Sequence, residues 1–487
     1  MSIVFHLAFG HNYLRLAAGL YQVSGLEQLN KRDMVAGNLK FYHGAPKLNY
    51  SPNNGICWLV IYNFGSLNPW YIDVAVRNAF PAMVYRLWTI DPSVMNQTDH
   101  PSFENTEIAF RHCSNADLKR AYWLFRVINV NFLVKIGPPV TNFAMKIGLP
   151  IKGLIKATIF KHFCGGETIE ECDNTIKNLW QGGVGTILDY SIEGQDDEAA
   201  FDHTRDEIIR TIDRASGDEA IPITVFKVTG VVPFSLLEKL DAGMQLNMDE
   251  QKQWEKAQAR VLAICEKAHA ARIPVMMDAE ESWIQQTMDR LALDMMRKFN
   301  KQKVIVYNTY QLYRHDRLAA LKNDHAGIVK DGFLFGAKLV RGAYMEKERK
   351  RAEQMGYPSP IQPDKQATDK DYDAAVKYCI EHIDTIALVA GTHNEESCRL
   401  LAELLDKKNI DHKNTNVYFS QLLGMSDNLS FNLADAKYNV AKYVPYGPIK
   451  AVLPYLFRRA QENTAIAGQM SRELSLIVKE LKRRTLK

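Results

Sequence analysis

The sequence predicts an α/β fold, a (β/α)8 TIM-type barrel with an N-terminal helical arm. From residue 182 onward, short runs rich in β-branched residues alternate with longer segments of helical amphipathic pattern, and eight such runs occur in series. Eight consecutive β/α units are what a closed parallel barrel requires. A doubly wound open sheet is the alternative, but no GxGxxG motif follows the first predicted strand.

The predicted strands cover residues 185–189, 223–228, 273–278, 304–309, 335–341, 385–391, 417–421 and 439–444. The segments between them, such as 281–298 and 371–383, have the length and the amphipathic spacing of helices. The pattern divides the chain into an unassigned extension, a helical arm, a catalytic barrel and a basic C-terminal helix. The predicted boundaries of these four parts are 1–94, 95–180, 181–470 and 471–487.

Residues 1–94 differ from the rest because they contain few acidic residues and no lasting period. An acid-poor N-terminus suits an organelle transit segment, although 94 residues is long for one and arginine is sparse. The alternative is non-native sequence upstream of a start codon at Met95. We therefore predict that they are dispensable. The longest apolar runs, such as 56–62, are much shorter than the ~20 residues that cross a bilayer as a helix.

The overall charge excludes a protein whose main partner is nucleic acid. Sixty Lys and Arg residues oppose 56 Asp and Glu residues, which leaves a formal net charge of +4. The seven cysteines are widely spaced and contain no CxxC pair, so we expect no disulfide framework and no metal site. This cysteine usage favours a reducing compartment.

The arm contains a basic stretch, since residues 118–166 include eight Lys and Arg residues and no acidic residue. One interpretation is a helical arm packed on the barrel with solvated lysines. The other is a basic amphipathic surface that contacts anionic lipid. The basic tail, residues 479–487, could likewise contact anionic lipid. The alternative is a capping helix, because apolar residues recur at helical spacing in the C-terminal segment.

The predicted strands end in polar residues, which is where a parallel barrel carries its chemistry. Structural ion pairs would be the alternative explanation. After the eighth strand, Tyr455, Arg458, Arg459 and Glu462 recur at helical spacing and share one broad face. Two arginines beside a tyrosine suit a small carboxylate, although a solvated helix face would have the same pattern.

Several motifs at these strand ends resemble proline dehydrogenase, the FAD-dependent barrel enzyme, over roughly residues 110–470. They are MDAEE (277–281), KLVRGAY (338–344), GTHN (391–394), QLLGM (421–425) and YLFRRAQEN (455–463). The chain is most similar to the monofunctional, eukaryote-like branch, which also has bacterial members. Because the sequence ends near residue 487, we expect no aldehyde dehydrogenase domain such as the bifunctional members have.

The resemblance implies roles for individual residues. Arg458, Arg459 and Lys227 would hold the proline carboxylate, and Asp278 would orient the arginine and tyrosine partners. Glu193 would pair with Arg458 as a gate over the substrate. The residues implied to enclose the pyrrolidine ring are Tyr344, Leu422, Tyr443 and Tyr455.

The FAD-binding residues implied by the resemblance are Asn308, Lys338, Val340, Gly342, Ala343, Thr392, His393 and Glu462. The chain departs from the bifunctional members at two of them. It has Lys338-Leu-Val-Arg341 where they have Arg-Leu-Val-Lys, and Asn308 where they have glutamine. Because lysine lacks a planar fork, we expect different contacts around the flavin.

The implied reaction is oxidation of L-proline to 1-pyrroline-5-carboxylate, with hydride transfer from C5 to flavin N5 and electrons passed to a membrane quinone. Alternatives are 4-hydroxyproline oxidation and, more remotely, a metal-dependent lyase that uses Asp278, Glu280 and His393. The implied location is the cytoplasm, peripheral on a bacterial inner membrane. The alternative location is the matrix side of the mitochondrial inner membrane.

Overall fold

The computed structural model describes residues 101–128, 141, 151–192, 197–459 and 472–486 in full. For residues 2–10, 13–21, 56–62, 71–77, 84–87, 460–465 and 469–471 it describes the backbone alone. The chain divides into two compact units, Met1–Asp99 and His100–Lys487.

The described residues of the first unit include five strands that we did not predict from the sequence. Strands β1 (Ser2–Gly10) and β2 (Tyr13–Tyr21) form an antiparallel pair. Strands β3 (Ile56–Tyr62), β4 (Tyr71–Arg77) and β5 (Val84–Leu87) form an antiparallel sheet in that order.

The second unit contains a closed barrel of eight parallel strands, which confirms the predicted fold class. Strand β13 pairs with β6, so the sheet closes on itself. All eight predicted strands are present, with ends that shift by up to a few residues. The strands are β6 (Gly185–Tyr190), β7 (Thr224–Lys227), β8 (Val275–Asp278), β9 (Val306–Gln311), β10 (Phe335–Val340), β11 (Ile386–Gly391), β12 (Val417–Leu422) and β13 (Val440–Tyr446).

Helices precede the barrel, connect its strands and follow them. The arm contains α1 (Thr106–Ala109), α2 (Asn115–Ile128), α3 (Lys152–Ile155), a π-helical turn (Lys156–Phe160), α4 (Lys161–Phe163) and α5 (Asp173–Gln181). The barrel helices are α6 (Glu198–Ala215), α7 (Phe234–Asp241), α8 (Met248–Ala271), α9 (Ser282–Phe299), α10 (Arg317–Lys330), α11 (Met345–Met355), α12 (Lys365–Glu381), α13 (Glu395–Lys407), α14 (Asp427–Asp435) and α15 (Ile449–Ala465). The last helix is α16 (Gln469–Thr485).

Local sequence signals define where several helices begin. At the start of α8, the Asn247 side chain accepts hydrogen bonds from the backbone N–H groups of Asp249 and Glu250, and the Glu250 carboxylate accepts one from the Asn247 backbone. This reciprocal capping box satisfies N–H groups that have no partner within the helix.

The strands are buried on both faces, as parallel barrel strands are. One set of alternating residues, which includes Ile187, Val225 and Met276, forms the apolar interior of the barrel. Their neighbours along the strands, such as Leu188 and Phe226, pack in the larger core beneath the helices. This alternation decides which residues at the strand ends face the interior.

The C-terminal helix α16 packs against the arm. Its Ile477 shares an apolar cluster with Leu118 of α2 and Leu456 of α15. Arg484 donates hydrogen bonds to the carbonyl oxygens of Phe110 and Cys113, at 2.7 and 2.8 Å. Several charges of the tail are therefore engaged within the protein, which favours the capping-helix interpretation. In the part of the chain described, no helix has both the length and the apolar character needed to cross a membrane.

Candidate active site

Polar side chains gather on the inner face of the barrel, at the carboxyl ends of the strands. Asp189 lies two residues beyond the interior residue Ile187, and Lys227 lies two residues beyond Val225. Because strand side chains alternate in direction, both face the interior. By the same alternation, this end of the interior carries Asp189, Lys227, Asp278, Gln311, Lys338 and Tyr443.

Lys338, Asp278 and Tyr443 form a connected cluster in this layer. The Lys338 Nζ lies 2.5 Å from Asp278 Oδ1, and the two side chains are only 7% and 16% exposed. Tyr443 Oη donates to Asp278 at 3.2 Å and accepts a hydrogen bond from Lys338. Burial, followed by the charge of Asp278, raises the pKa of Tyr443 well above its ordinary value. The phenol therefore remains a neutral donor.

A second carboxylate, Asp189, completes the layer beside Lys227. It is buried and accepts a hydrogen bond from Ser191 Oγ at 2.5 Å. Burial raises the pKa of Asp189, while the positive charge of Lys227 opposes that effect. Within the described residues, Asp189 Oδ1 has no hydrogen-bond partner. The layer therefore offers a buried polar oxygen to a bound molecule.

The arginines predicted to bind a carboxylate lie on α15, which follows β13. Arg459 is buried, and its guanidinium lies 5.2 Å from the ring centre of Tyr455 on the same helix. Arg458 is half-buried. At the end of β11, burial lowers the pKa of His393, and the positive charge of Arg459 adds to this effect.

The end of β11 and the residue after β10 are connected by hydrogen bonds. Arg341 Nη1 donates to Thr392 Oγ1 at 2.6 Å, and its Nε donates to Asp369 at 2.7 Å. His393 Nδ1 lies 2.9 Å from Ser426 Oγ. Burial, followed by the charges of nearby cations, lowers the pKa of His393 to about 3, so this imidazole is neutral at ordinary pH. We assigned no role to Arg341 from the sequence, although it stands where the bifunctional members have lysine.

Gly342 follows Arg341 in a conformation that favours glycine. Its φ is +134°, and a Cβ atom there would lie 2.4 Å from a ring carbon of Tyr313. The neighbouring Val340 and Tyr344 are half-buried, and Ala343 is exposed. The glycine therefore lets the backbone turn closely over Tyr313 at the barrel mouth.

The structure does not bring Asn308 into the layer. Its Nδ2 donates at 2.8 Å to Asp289 of α9, on the face of β9 opposite to the interior residue Tyr307. Gln311, three residues further along the same strand, has the inward parity. It is 2% exposed, and its Oε1 lacks a hydrogen-bond partner in the described part of the chain.

Three further residues were predicted to belong to the site, namely Leu422, Glu193 and Glu462. Leu422 is half-buried at the end of β12 and touches two apolar clusters. Glu193, the predicted gate residue, lies outside the described residues. The backbone of Glu462 belongs to α15, but its side chain also lies outside them.

The metal-lyase alternative receives no support from these side chains. Asp278 is paired with Lys338, while Glu280 accepts hydrogen bonds from the backbone and side chain of Thr229. Among the residues that the structure describes, Asp278, Glu280 and His393 do not form a group of metal ligands.

Comparisons with known proteins identify the family of the chain. The sequence model of the family described as "Proline dehydrogenase" matches residues 172–472. Proline dehydrogenase 1, mitochondrial, of Dictyostelium discoideum is 33% identical over 435 residues, covering 80% of this chain and 76% of that protein. The carbapenem antibiotics biosynthesis protein CarD of Pectobacterium carotovorum is 34% identical, covering 68% and 86%.

A similar fold occurs in proline utilization A (PutA) of Bdellovibrio bacteriovorus, whose structure was determined after inactivation by N-propargylglycine. The TM-score is 0.59 at 19% identity, and the match covers 77% of this chain and 40% of that chain.

The closed barrel, with buried ionic groups at the carboxyl ends of its strands, defines the class as a (β/α)8-barrel enzyme. The family match covers all eight barrel strands, and it identifies the family within this class. The chain belongs to the proline dehydrogenase family, whose members are oxidoreductases that act on proline.

Proposed function

We propose that this protein oxidises L-proline to 1-pyrroline-5-carboxylate with FAD and passes the electrons to a quinone, as the first step of proline catabolism to glutamate. The observation that carries the proposal is the buried cluster of Lys338, Asp278 and Tyr443 at the barrel mouth, in a chain of this family. Charges at such a position are costly unless they are paired or serve a ligand.

In this proposal, the substrate carboxylate is bound by Arg458, Arg459 and Lys227. Guanidinium groups bind a carboxylate through paired hydrogen bonds, and Lys227 adds a compact positive charge from the barrel interior. The support is the burial of Arg459 and its position over Tyr455, because a desolvated guanidinium binds an anion more strongly than an exposed one.

The pyrrolidine ring would be enclosed by Tyr344, Leu422, Tyr443 and Tyr455. These side chains exclude water and hold the ring in one orientation, which lowers the entropic part of the barrier. Tyr443 is fixed in position by its hydrogen bond to Asp278. The proposed role of Asp278 is therefore to orient Tyr443 and Lys338.

The residues present fit a flavin. The buried Gln311 Oε1 is an acceptor without a partner in the described residues, and a flavin ring presents an N–H donor. Lys338 and Arg341 supply positive charge, Gly342 allows a close backbone approach, and the remaining proposed contacts are Val340, Ala343, Thr392 and the neutral His393. Bound FAD would supply the hydride acceptor for the C5 position of proline. We replace Asn308 with Gln311 in this set, because Asn308 faces α9.

The test is an absorbance spectrum of the purified protein before and after anaerobic L-proline. We expect flavin bands that bleach with L-proline, and less with trans-4-hydroxy-L-proline. Flavin that resists L-proline would refute the substrate, and protein that fails to bind added FAD would refute the cofactor. Bleaching that is stronger with hydroxyproline would favour the hydroxyproline alternative.

Variants at one proposed carboxylate-binding position and one proposed flavin-binding position make the test residue-specific. Arg459→Met should raise the KM for proline, because a charge-assisted hydrogen bond of about 1.5–3 kcal/mol is lost, and should leave the bound flavin spectrum in place. Gln311→Leu should instead reduce flavin retention by roughly 10-fold, which corresponds to one hydrogen bond of about 1.4 kcal/mol. Unchanged flavin retention in Gln311→Leu would remove Gln311 from the proposed site.

We also propose that the arm contacts a membrane surface, where a quinone is available. On α2, Trp123 and Val127 are 62% and 52% exposed, and Arg126 lies 5.6 Å from the Trp123 ring centre. Exposed aromatic and aliphatic side chains beside basic residues suit an anionic lipid surface. The location would be peripheral on a bacterial inner membrane, or on the matrix side of the mitochondrial inner membrane. The second alternative has the support of relatives named as mitochondrial.

Vesicle flotation tests this contact. The protein should bind vesicles that contain anionic lipid and should release as salt increases. Trp123→Ser/Val127→Ser should weaken binding, while the control Leu154→Ser, another exposed apolar residue of the arm, measures the effect of losing apolar surface elsewhere. Equal binding by the double variant would refute the role of α2.

A further inference from the structure

A second cluster of reactive side chains lies where the start of the arm meets α14. His112 and Cys113 lie two and one residues before Ser114, which precedes α2, and Asp427 begins α14. All three line a cavity of about 600 Å³ that is bordered by the arm and the loop after β12. The cluster has no part in the proposed proline site.

The donor atoms of the three side chains converge. Cys113 Sγ lies 3.2 Å from His112 Nε2, and His112 Nε2 lies 3.9 Å from Asp427 Oδ2. All three donor atoms lie within 4.8 Å of one another. Ligands of a tetrahedral ion with bonds of about 2.0–2.3 Å are separated by distances of this size.

The surrounding groups hold two of the donors in position. The His112 ring stacks on Phe431, with ring centres 3.8 Å apart. Asp427 Oδ1 is paired with the fully buried Lys442 Nζ at 2.8 Å, so that the Oδ2 atom turns toward His112. Outer partners that orient a ligand in this way are a regular feature of metal sites.

We infer that His112 Nε2, Cys113 Sγ and Asp427 Oδ2 bind a zinc-type divalent cation, with water from the cavity as a fourth ligand. The mixed nitrogen, sulfur and oxygen set suits Zn²⁺ better than Mg²⁺ or Ca²⁺, which prefer oxygen alone. The ion would join the start of the arm to the start of α14. This inference replaces the expectation from the sequence that the chain has no metal site.

The local charges are compatible with a cation. Glu473 is buried nearby, and its carboxylate accepts a hydrogen bond from the backbone of Ser426, next to Asp427. Asp427 and Asp117 supply negative charge near Cys113, while Lys442 and Arg484 supply positive charge. Binding of a divalent ion would release the thiol proton of Cys113, and the thiolate would then bring a further negative charge to the ion.

The experiment is a titration of chelator-treated, full-length protein with Co²⁺ and Zn²⁺. A tetrahedral Co²⁺ site gives visible bands at longer wavelength than flavin absorption, and Zn²⁺ should displace them at one equivalent. His112→Ala, Cys113→Ser and Asp427→Asn should each weaken binding by roughly 100-fold or more, beyond the 10–100-fold typical of losing an outer partner.

His412→Asn is the matched control. His412 also stacks on an aromatic ring, that of Tyr438 at 3.9 Å, and also faces an aspartate, Asp406, at 2.6 Å. Among the described residues, no cysteine or other third ligand joins His412 and Asp406 to form a metal-binding group. Binding should therefore be unchanged in His412→Asn, and loss of Co²⁺ bands in this control would overturn the assignment.

A measurement on the wild-type protein keeps the inference testable if a variant fails to fold. X-ray absorption at the zinc edge should show one sulfur at about 2.3 Å and lighter ligands at about 2.0–2.2 Å. A zinc shell without sulfur, or wild-type protein that binds neither ion, would overturn the inference.

Discussion

The buried pair of Lys338 and Asp278 should be strongly coupled. Asp278→Asn removes the negative charge with little change of shape, and leaves a lysine that is only 7% exposed. An uncompensated charge at such a site costs about 3–5 kcal/mol. We therefore expect the free energy of unfolding of Asp278→Asn to fall by about 3 kcal/mol, the lower end of the range, because Tyr443 still contacts the lysine.

The double-mutant cycle isolates the interaction. Lys338→Met should also destabilise the protein, because it leaves Asp278 with only the hydrogen bond from Tyr443. The double variant Asp278→Asn/Lys338→Met leaves neither member of the pair charged, so its loss should be smaller than the sum of the single losses. We expect a coupling energy of about 2 kcal/mol or more, within the range for residues in contact.

Urea unfolding followed by circular dichroism provides the free energies. Glu396→Gln is the control, because Glu396 lies 3.6 Å from Arg399 in a pair that is 79% and 39% exposed. Such a surface pair contributes about 0–1 kcal/mol. A coupling energy below about 0.5 kcal/mol for Lys338 and Asp278 would refute the argument that the cluster is desolvated and paired.

Three further predictions concern the backbone, pH and the C-terminal helix. Gly342→Ala should destabilise the fold by about 1–3 kcal/mol through its backbone conformation alone, and by more through the clash with Tyr313, as thermal unfolding would show. Burial raises the pKa of Glu280 from 4.5 to about 7, so folding stability should fall as pH rises between these values. This titration should lower the unfolding free energy of the wild-type protein by up to about 3 kcal/mol between pH 4.5 and 7, and the decrease should be absent in Glu280→Gln. Arg484→Met should cost about 2 kcal/mol and increase protease cleavage of the tail, because it removes two hydrogen bonds to backbone carbonyls and leaves Glu480 with one fewer arginine.

The barrel could be predicted because its evidence is repeated along the chain. Each strand is a short and largely apolar run, and each is followed by a helix-length segment. Errors of a residue or two at the ends do not change the count of eight units. The strands of the first unit could not be predicted in this way, since residues 1–94 have no lasting period.

The tail shows why a charge count did not decide between two interpretations. Residues 479–487 are basic in the sequence, which suggested lipid contact as well as a cap. In the structure, the fully buried Glu480 pairs with both Arg483 and Arg484. Lys479 pairs with Glu104, far away in the sequence. The Glu480 pairs are local, but Glu104 is brought to Lys479 only by folding and is invisible to a count of local charge. Because these charges are engaged within the protein, our proposal places lipid contact on the exposed face of α2 instead.

Asn308 and Gln311 show the same limit within the site itself. Both are polar, both lie near the end of β9, and the resemblance alone favoured Asn308. A strand inverts the direction of its side chains at each residue, so residues three apart face opposite sides. Because Tyr307 belongs to the barrel interior, Asn308 must face the helices, where Asp289 binds it. Gln311 then faces the interior with a buried acceptor that a ligand can satisfy. Motifs locate the strand end that carries chemistry, but the parity of the strand selects the residue.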